Sequence, residues 1–146
     1  MTLSNAAETD LLELLFTNVD WPNIGDAAGL QNSVAAGNFY ISLHTGDPGE
    51  AGDQTTSEAN YTSYARVAVA RSGAGWTVAG NNCSNAAAIN FPAATGGSST
   101  CTYFGIGTDA SGAGNLIASG ALSASLAVTS GITPSFAIGE LDINAD

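Results

Sequence analysis

The first regular pattern in the chain is helical. Four apolar residues near the start recur at intervals of three and four, the spacing of one helix face: Ala7, Leu11, Leu14 and Leu15. Asn5, with Glu8 three residues later, is typical of a capping box, so we expect Asn5 to be the N-cap and the helix to end at residues 16–18. The apolar stripe must be buried against the body of its own domain or against a neighbouring subunit.

Between residues 19 and 38 the helical period is lost. Trp21-Pro22 begins a turn and glycines interrupt the rest, so one helical turn after Asp26 is the only regular structure that we expect here. A connection of this length in a compact domain is usually functional or part of an interface. The segment is therefore predicted to take part in contacts with other subunits.

From residue 39 onward, apolar and polar residues alternate. Phe39, Ile41 and Leu43 alternate with polar residues, as in a strand with one face in the core and one in solvent. In the last such run, which begins at Phe136, the apolar residues stay on one face only if one residue is inserted near Gly139, and this predicts a bulge there. Further runs are separated by clusters of Gly, Asn, Ser and Thr and begin at Ala65, Trp76, Ala87, Phe104, Leu116, Phe136 and, weakly, Leu126.

Many short strands with such turns are typical of sandwiches and barrels. We therefore predict a mainly β protein, an antiparallel β-sandwich or jelly-roll-like fold with an N-terminal α-helix. We expect a single domain over 1–146, made of the helix 1–18, the irregular connection 19–38 and the β body 39–146.

The charge balance narrows the possible partners. The 146 residues include 13 acids and no lysine, and two arginines, Arg66 and Arg71, leave a formal net charge of −11. Binding to nucleic acid or to an anionic membrane surface requires cations. We therefore expect neither a nucleic acid nor a membrane as partner.

The two arginines are informative because they are so few. They lie five apart on one predicted strand, which directs them to opposite faces if the strand is regular. Each is expected to pair with a carboxylate in so acidic a chain. The pair is either internal, fixing the loop from Tyr61 to Tyr64, or part of a subunit contact.

Candidate catalytic and metal-binding residues are few. The one histidine, His44, is interpreted as a partly exposed strand-end residue whose ring bonds a backbone group, although a small hydrolase that uses it stays an alternative. The acids after it lack the spacing of an EF-hand, so a solvated loop is favoured over a Ca²⁺ site. No cofactor, no metal and no enzymatic activity are predicted. The acids of this loop are Asp47, Glu50, Asp53 and Glu58.

Cys83 and Cys101 stand apart from each other and from His44, without a Cys-x-x-Cys motif. Two free, buried thiols are favoured, and a disulfide between them is the alternative.

Several segments together resemble one family of proteins. Residues 40–49, 61–71, 75–78, 103–107 and 131–136, in this order, are similar to small virion structural proteins of tailed bacteriophages. Such proteins are described as tail-fibre or virion components. The resemblance implies a non-enzymatic part of the phage particle, made in the host cytoplasm, and leaves head or tail location open.

Among virion roles, we favour a capsid decoration (cement) protein, because the chain shows no pattern of a coiled-coil or triple-β-helix shaft. It is expected to form a homotrimer that binds the major capsid protein or other virion proteins. A tail fibre, adaptor or collar component is the first alternative. A carbohydrate-binding module that stacks sugars on Trp76, Tyr61 or Tyr64 is the second. The residues predicted to make the contacts are Leu11, Leu14, Leu15, Trp21, Pro22, Tyr61, Tyr64, Arg66 and Arg71.

Overall fold

The computed structural model of the protein describes residues 2–145 and confirms a mainly β chain with antiparallel sheets and one N-terminal helix. The helix, α1, comprises Asn5–Leu12 and continues into a π-helical turn, Glu13–Thr17. No helix within 2–145 is long and apolar enough to span a bilayer. The strands of the described chain are β1 (Asn38–His44), β2 (Val67–Ala70), β3 (Trp76–Ala79), β4 (Asn82–Asn85), β5 (Ile89–Asn90), β6 (Ser98–Gly107), β7 (Leu116–Thr129), β8 (Ser135–Phe136) and β9 (Asp142–Asn144).

The N-cap of α1 is Ser4, so the prediction of Asn5 was wrong by one residue. The Ser4 hydroxyl accepts a hydrogen bond from the Ala7 amide at 3.3 Å, and the Glu8 amide donates to the Ser4 carbonyl at 2.9 Å. The predicted end is confirmed, because Asn18 terminates the π-helical turn with a left-handed φ of 58°.

The face of α1 that turns inward also differs from the predicted stripe. The buried residues are Glu8, Leu12 and Phe16, which are spaced by four. The Phe16 ring meets the edge of Trp76 with 4.9 Å between the ring centroids. This aromatic pair buries more apolar surface than a leucine contact and selects the inward face. The predicted stripe is consequently left half-buried.

The chain divides into two compact units, which we describe separately. Unit 1 comprises the described residues up to Asn38, Ala70–Ala88 and those from Phe136 onward. Its antiparallel sheet has the strand order β3-β4-β9, and its core is formed by large apolar side chains with at most 3% exposure. These core residues are Leu12, Phe16, Trp76, Cys83 and Leu141.

A buried amide organises the last part of unit 1. Asn85 donates to the carbonyls of Ala87 and Ala137 at 2.8 Å each, and its side-chain oxygen accepts from the Leu141 amide at 2.9 Å. Gly139 has a φ of +76° within the resulting turn, and its amide donates to the Asn85 carbonyl at 3.0 Å. The bulge predicted near Gly139 is therefore a tight turn.

Unit 2 comprises Phe39–Val69 and Ile89–Ser135. Nearly all of the sheet with the order β2-β1-β6-β7 lies in it, and β1 pairs antiparallel with β6 so that Ile41 faces Ile106. Both of these isoleucines are fully buried. How the sheets stack, and whether the chain is one sandwich domain, stay predictions.

The strands β6 and β7 are longer than predicted. β6 begins at Ser98, within a segment interpreted as a loop, and β7 joins two predicted runs into one strand of 14 residues. The pairing of β6 with β7 shifts between Cys101 and Tyr103 and again between Ile106 and Gly107. These bulges carry the ladder past residues that break the alternation of apolar and polar positions.

Candidate assembly surfaces

Residues 19–38, here called the arm, leave the end of the helix and are closed by polar pairs. Asn18 and Ser33 exchange two hydrogen bonds of 2.9 Å, side chain to backbone. The Asp20 carboxylate accepts from the Asn32 amide at 2.7 Å. Trp21 and Leu30 exchange two backbone hydrogen bonds of 3.0 and 2.8 Å. The arm is therefore an ordered loop with its two limbs held together.

The tip of the arm is a turn. The Asp26 carboxylate accepts from the amides of Ala28 and Gly29 at 2.9 and 3.2 Å, so the helical turn predicted after Asp26 is wrong. An aspartate in this arrangement replaces a helical bond by a local side-chain bond. Gly29 has a φ of +70°, and a Cβ there would collide with the Trp21 carbonyl, so this position requires glycine.

No residue of the arm is buried, although the structure describes all of 19–38. Trp21 is half-buried and Pro22 exposed, as a contact role would require. Half of the large exposed apolar side chains in the described chain belong to this one loop. They are Val19, Ile24, Leu30 and Val34, the last of which is fully exposed.

Arg71 fixes the end of the helix to the arm. Its guanidinium donates to the carbonyls of Leu15, Leu14 and Ala36 at 2.6, 2.8 and 2.9 Å. The cation thus lies at the C-terminal end of the helix, where the dipole favours positive charge. The side chains of Leu11, Leu14 and Leu15 are half-buried. Arg71 is a positioning residue for the surface that these leucines and the arm present.

Arg66 forms an internal ion pair, one of the two arrangements predicted for it. It donates to both carboxylate oxygens of Glu58 at 2.7 and 2.8 Å, and the two side chains are largely buried. It also donates to the carbonyls of Asp109 and Gly112 at 2.9 and 2.8 Å. The hydrogen bond and negative charge of Glu58 raise the pKa of Arg66.

Gln54 also binds the segment 109–112 that Arg66 contacts, and the sequence pattern did not indicate this role. It is fully buried, its side-chain oxygen accepts from the Asp109 amide at 2.9 Å, and its amide nitrogen donates to the Asp109 carbonyl at 3.3 Å. A glutamine in a polar loop carries no pattern that separates it from a solvated residue. Its role depends on a partner 55 residues away.

The aromatic residues predicted to stack sugars lie inside. Trp76 is 1% exposed and Tyr61 is 2% exposed, with the Tyr61 hydroxyl donating to the Pro92 carbonyl at 3.0 Å. Tyr64 is half-buried, and its hydroxyl donates to Glu58 at 2.9 Å while burial raises its pKa. Burial therefore contradicts the predicted placing of Tyr61 on a contact surface, and it removes Trp76 and Tyr61 as a platform for sugars.

His44 is fully buried, not partly exposed as predicted. Its Nδ1 lies 2.8 Å from the Thr56 carbonyl, which can only accept, so Nδ1 carries the proton and Nε2 accepts from the Ser42 hydroxyl at 2.8 Å. The predicted bond to a backbone group is confirmed. Burial lowers the pKa of His44. Ser42 is equally inaccessible, so this pair cannot meet a substrate in the folded chain.

Three of the four acids of the following loop accept hydrogen bonds from separate partners. Glu58 pairs with Arg66, Asp53 accepts from the amide and hydroxyl of Thr55, and Asp47 accepts from the Gly49 amide. The Thr55 hydrogen bonds lower the pKa of Asp53. Within residues 2–145 no three His, Cys, Asp or Glu side chains are grouped to hold a metal ion.

A groove of about 480 Å³ lies on unit 2 between this loop and the start of β7. The exposed carboxylates of Asp47 and Glu50 line one side, and Tyr103 with residues 116–119 line the other. One face at the start of β7 is therefore open to solvent.

Both cysteines are free and buried, which confirms the favoured prediction. Burial raises the pKa of Cys83 to about 12 and that of Cys101 to about 11. Both thiols are therefore protonated packing groups at neutral pH.

The described chain is thus rich in β-strands, carries an ordered arm without a buried residue, and buries its one histidine fully. The family model described as "Podophage GP4 fiber I protein gp80" matches residues 2–144. The chain belongs to this family of phage fibre proteins and is a structural component of a tailed-phage virion. No curated protein sequence matches it.

Proposed function

We propose that the chain is a non-enzymatic subunit of the phage fibre that binds neighbouring subunits through the arm and the adjoining helix face. The observation that carries this proposal is the arm, which is ordered by its own polar pairs and yet has no buried residue. An ordered loop that has no buried residue leaves its exposed apolar side chains available for another chain.

The energetics favour this use of the arm. Burial of a Val, Leu or Ile side chain contributes about 1.5–3 kcal/mol. A neighbour that covers the four apolar side chains of the arm therefore gains several kcal/mol. Because three residue pairs already fix the limbs, binding orders little additional chain. Leu11, Leu14 and Leu15 extend the same apolar surface within unit 1.

A fibre location is favoured over the head because the family description names a fibre. The decoration role, with a homotrimer bound to the major capsid protein, stays a prediction. The proposed partners are copies of this chain and other virion proteins, without nucleic acid or membrane. A chain of net charge −11 is repelled by phosphate-rich surfaces. Synthesis in the host cytoplasm before assembly is part of the proposal.

The tip of the arm can be removed without opening its base. Because Trp21 and Leu30 face each other across two hydrogen bonds, residues 22–29 can be replaced by Asn-Gly, which closes a two-residue turn. The shortened arm loses Ile24 and keeps Val19, Leu30 and Val34. We therefore expect folded protein in the lysate and clearly less of it in purified particles than for the wild type. Incorporation equal to wild type would contradict the proposal.

A point variant separates apolar contact from loop length. Ile24→Ser with Val34→Ser removes two exposed apolar side chains of the arm. The matched control, Ile132→Ser with Ile138→Ser, makes the same change at exposed positions outside the arm. Incorporation should fall for the arm variant and stay at the wild-type level for the control. Equal loss in both variants would overturn the assignment to the arm.

A further inference from the structure

Strand β7 forms one edge of the sheet β2-β1-β6-β7. Its inner side pairs with β6, and within residues 2–145 no strand pairs with its outer side. The strand has 14 residues, compared with a usual length of about five or six. Alternate residues of such an edge direct unpaired N–H and C=O groups outward, where they can pair with another strand.

The edge lacks the charges that usually prevent pairing. Residues 110–139 contain no Asp, Glu, Lys or Arg, although the chain has 13 acids, and β7 contains no proline. Natural sheet edges that must stay single are commonly protected by charged side chains or proline. The two register shifts with β6 bend the strand and leave the straight segment 118–121 between them.

The side chains of this segment allow close approach. Its residues are Ala118, Ser119, Gly120 and Ala121, and Ser119 and Ala121 are exposed. The Phe104 ring of the neighbouring strand packs over Gly120, where an added Cβ would lie 2.8 Å from the ring. The Phe104 ring thus packs against the segment from the neighbouring strand β6. The segment has only small side chains, so none of them blocks the approach of another strand to the unpaired edge.

We infer that β7 pairs antiparallel with β7 of a second copy of this chain, across a two-fold axis at residues 118–121. A two-fold pairing sets each strand against itself, so any charge on it would face a like charge. A neutral strand can meet its own copy without repulsion between like charges on the two strands, even though each chain carries −11. The exposed acids of the adjoining groove, Asp47 and Glu50, lie across it from residues 116–119 and are not on the strand. The inference rests on the proposed function and adds the surface that joins two copies.

The expected affinity is modest, because a pairing of short straight segments buries a small area. Inside a fibre the neighbours are already tethered, and a high effective concentration makes weak pairing sufficient. A two-fold dimer also differs from the homotrimer predicted from the sequence. Molecular mass in solution therefore separates the two arrangements.

The test adds like charges to the edge. Ser119→Glu with Ala121→Glu places four carboxylates at the proposed axis, and Thr77→Glu with Ala79→Glu is the matched control on β3, an edge strand of the sheet in unit 1. Sedimentation equilibrium of the full chain should show a wild-type dimer, about tenfold weaker association for the β7 variant and no change for the control. High salt should partly restore the β7 variant by screening the charges.

Hydrogen exchange of the wild-type chain tests the same surface without a variant. Amides of 116–121 should gain protection as the protein concentration rises, while those of 77–79 should not. A wild-type monomer at every attainable concentration, equal association of both variants, or a trimer insensitive to the β7 changes would overturn the inference. If β7 variants still build fibres normally, the inference fails and the proposed function stands. If the chain is missing from fibres, the proposed function fails whatever β7 does.

Discussion

Replacement of Arg66 by methionine tests the ion pair that anchors unit 2. The change removes the two hydrogen bonds to Glu58 and those to the carbonyls of Asp109 and Gly112. It also leaves the Glu58 carboxylate largely buried without its cation, in contact with the Tyr64 hydroxyl. Loss of one partner of a buried pair costs about 3–5 kcal/mol, so the free energy of unfolding should fall by this amount.

A double-mutant cycle isolates the pair itself. Urea unfolding of wild type, Arg66→Met, Glu58→Gln and the double variant gives the interaction free energy. Because the contact is bidentate and shielded from water, the two single losses should exceed the loss of the double variant by about 1–3 kcal/mol. Glu50, an exposed acid of the same loop, supplies the control, since Glu50→Gln should not couple to Arg66→Met.

Exposed ion pairs contribute less than about 1 kcal/mol to the free energy of unfolding. A loss of that size for Arg66→Met would contradict a stabilising buried pair. Additive single losses would show that Arg66 and Glu58 do not stabilise each other.

Three further predictions concern buried groups. Burial lowers the pKa of His44 below its ordinary value of 6.5. The imidazole therefore takes up a proton more readily in the unfolded chain than in the folded chain. The free energy of unfolding should consequently fall as the pH drops below 6.5. Urea midpoints at about pH 7.5 and about pH 5 should show this loss in wild type and a smaller one in His44→Gln; equal losses contradict it. Cys83 and Cys101 should be unreactive to an aromatic disulfide reagent in the native chain at about pH 8 and react fully in denaturant, because burial raises both pKa values. Rapid native reaction would refute their burial. Trp76→Ala should reduce the free energy of unfolding by about 3–5 kcal/mol, because it empties the site beside Phe16. A loss below about 1 kcal/mol in urea unfolding would contradict this packing.

Sequence patterns located the strands whose apolar residues face a core. β1 and β3 follow their predicted runs because Ile41, Leu43 and Trp76 are buried, although Ser42 and His44 on the other face of β1 are buried as well. β4 was missed because its sequence, Asn-Cys-Ser-Asn, has one apolar residue and is held by pairing on both sides. The buried side chain of Asn85 anchors this strand by accepting a hydrogen bond from the Leu141 amide, where other strands are anchored by apolar side chains.

A surface segment could be predicted only where its residue types mark it as an exposed loop. The arm was recognised because turn residues and lost periodicity mark a loop, and Trp21-Pro22 lies on it. Tyr61 and His44 were misplaced because their burial depends on partners distant in the sequence, the carbonyls of Pro92 and Thr56. The edge position of β7 depends on strand order, which no local pattern encodes.

Whether the chain is a subunit of the fibre can be decided by locating it in the phage particle. Purified phage can be labelled with gold-conjugated antibodies against this chain and viewed by electron microscopy. The account predicts label on the fibre, lost in phage that lack the chain. Label spread over the head surface would contradict the account and support the decoration role, and label on neither structure would contradict both.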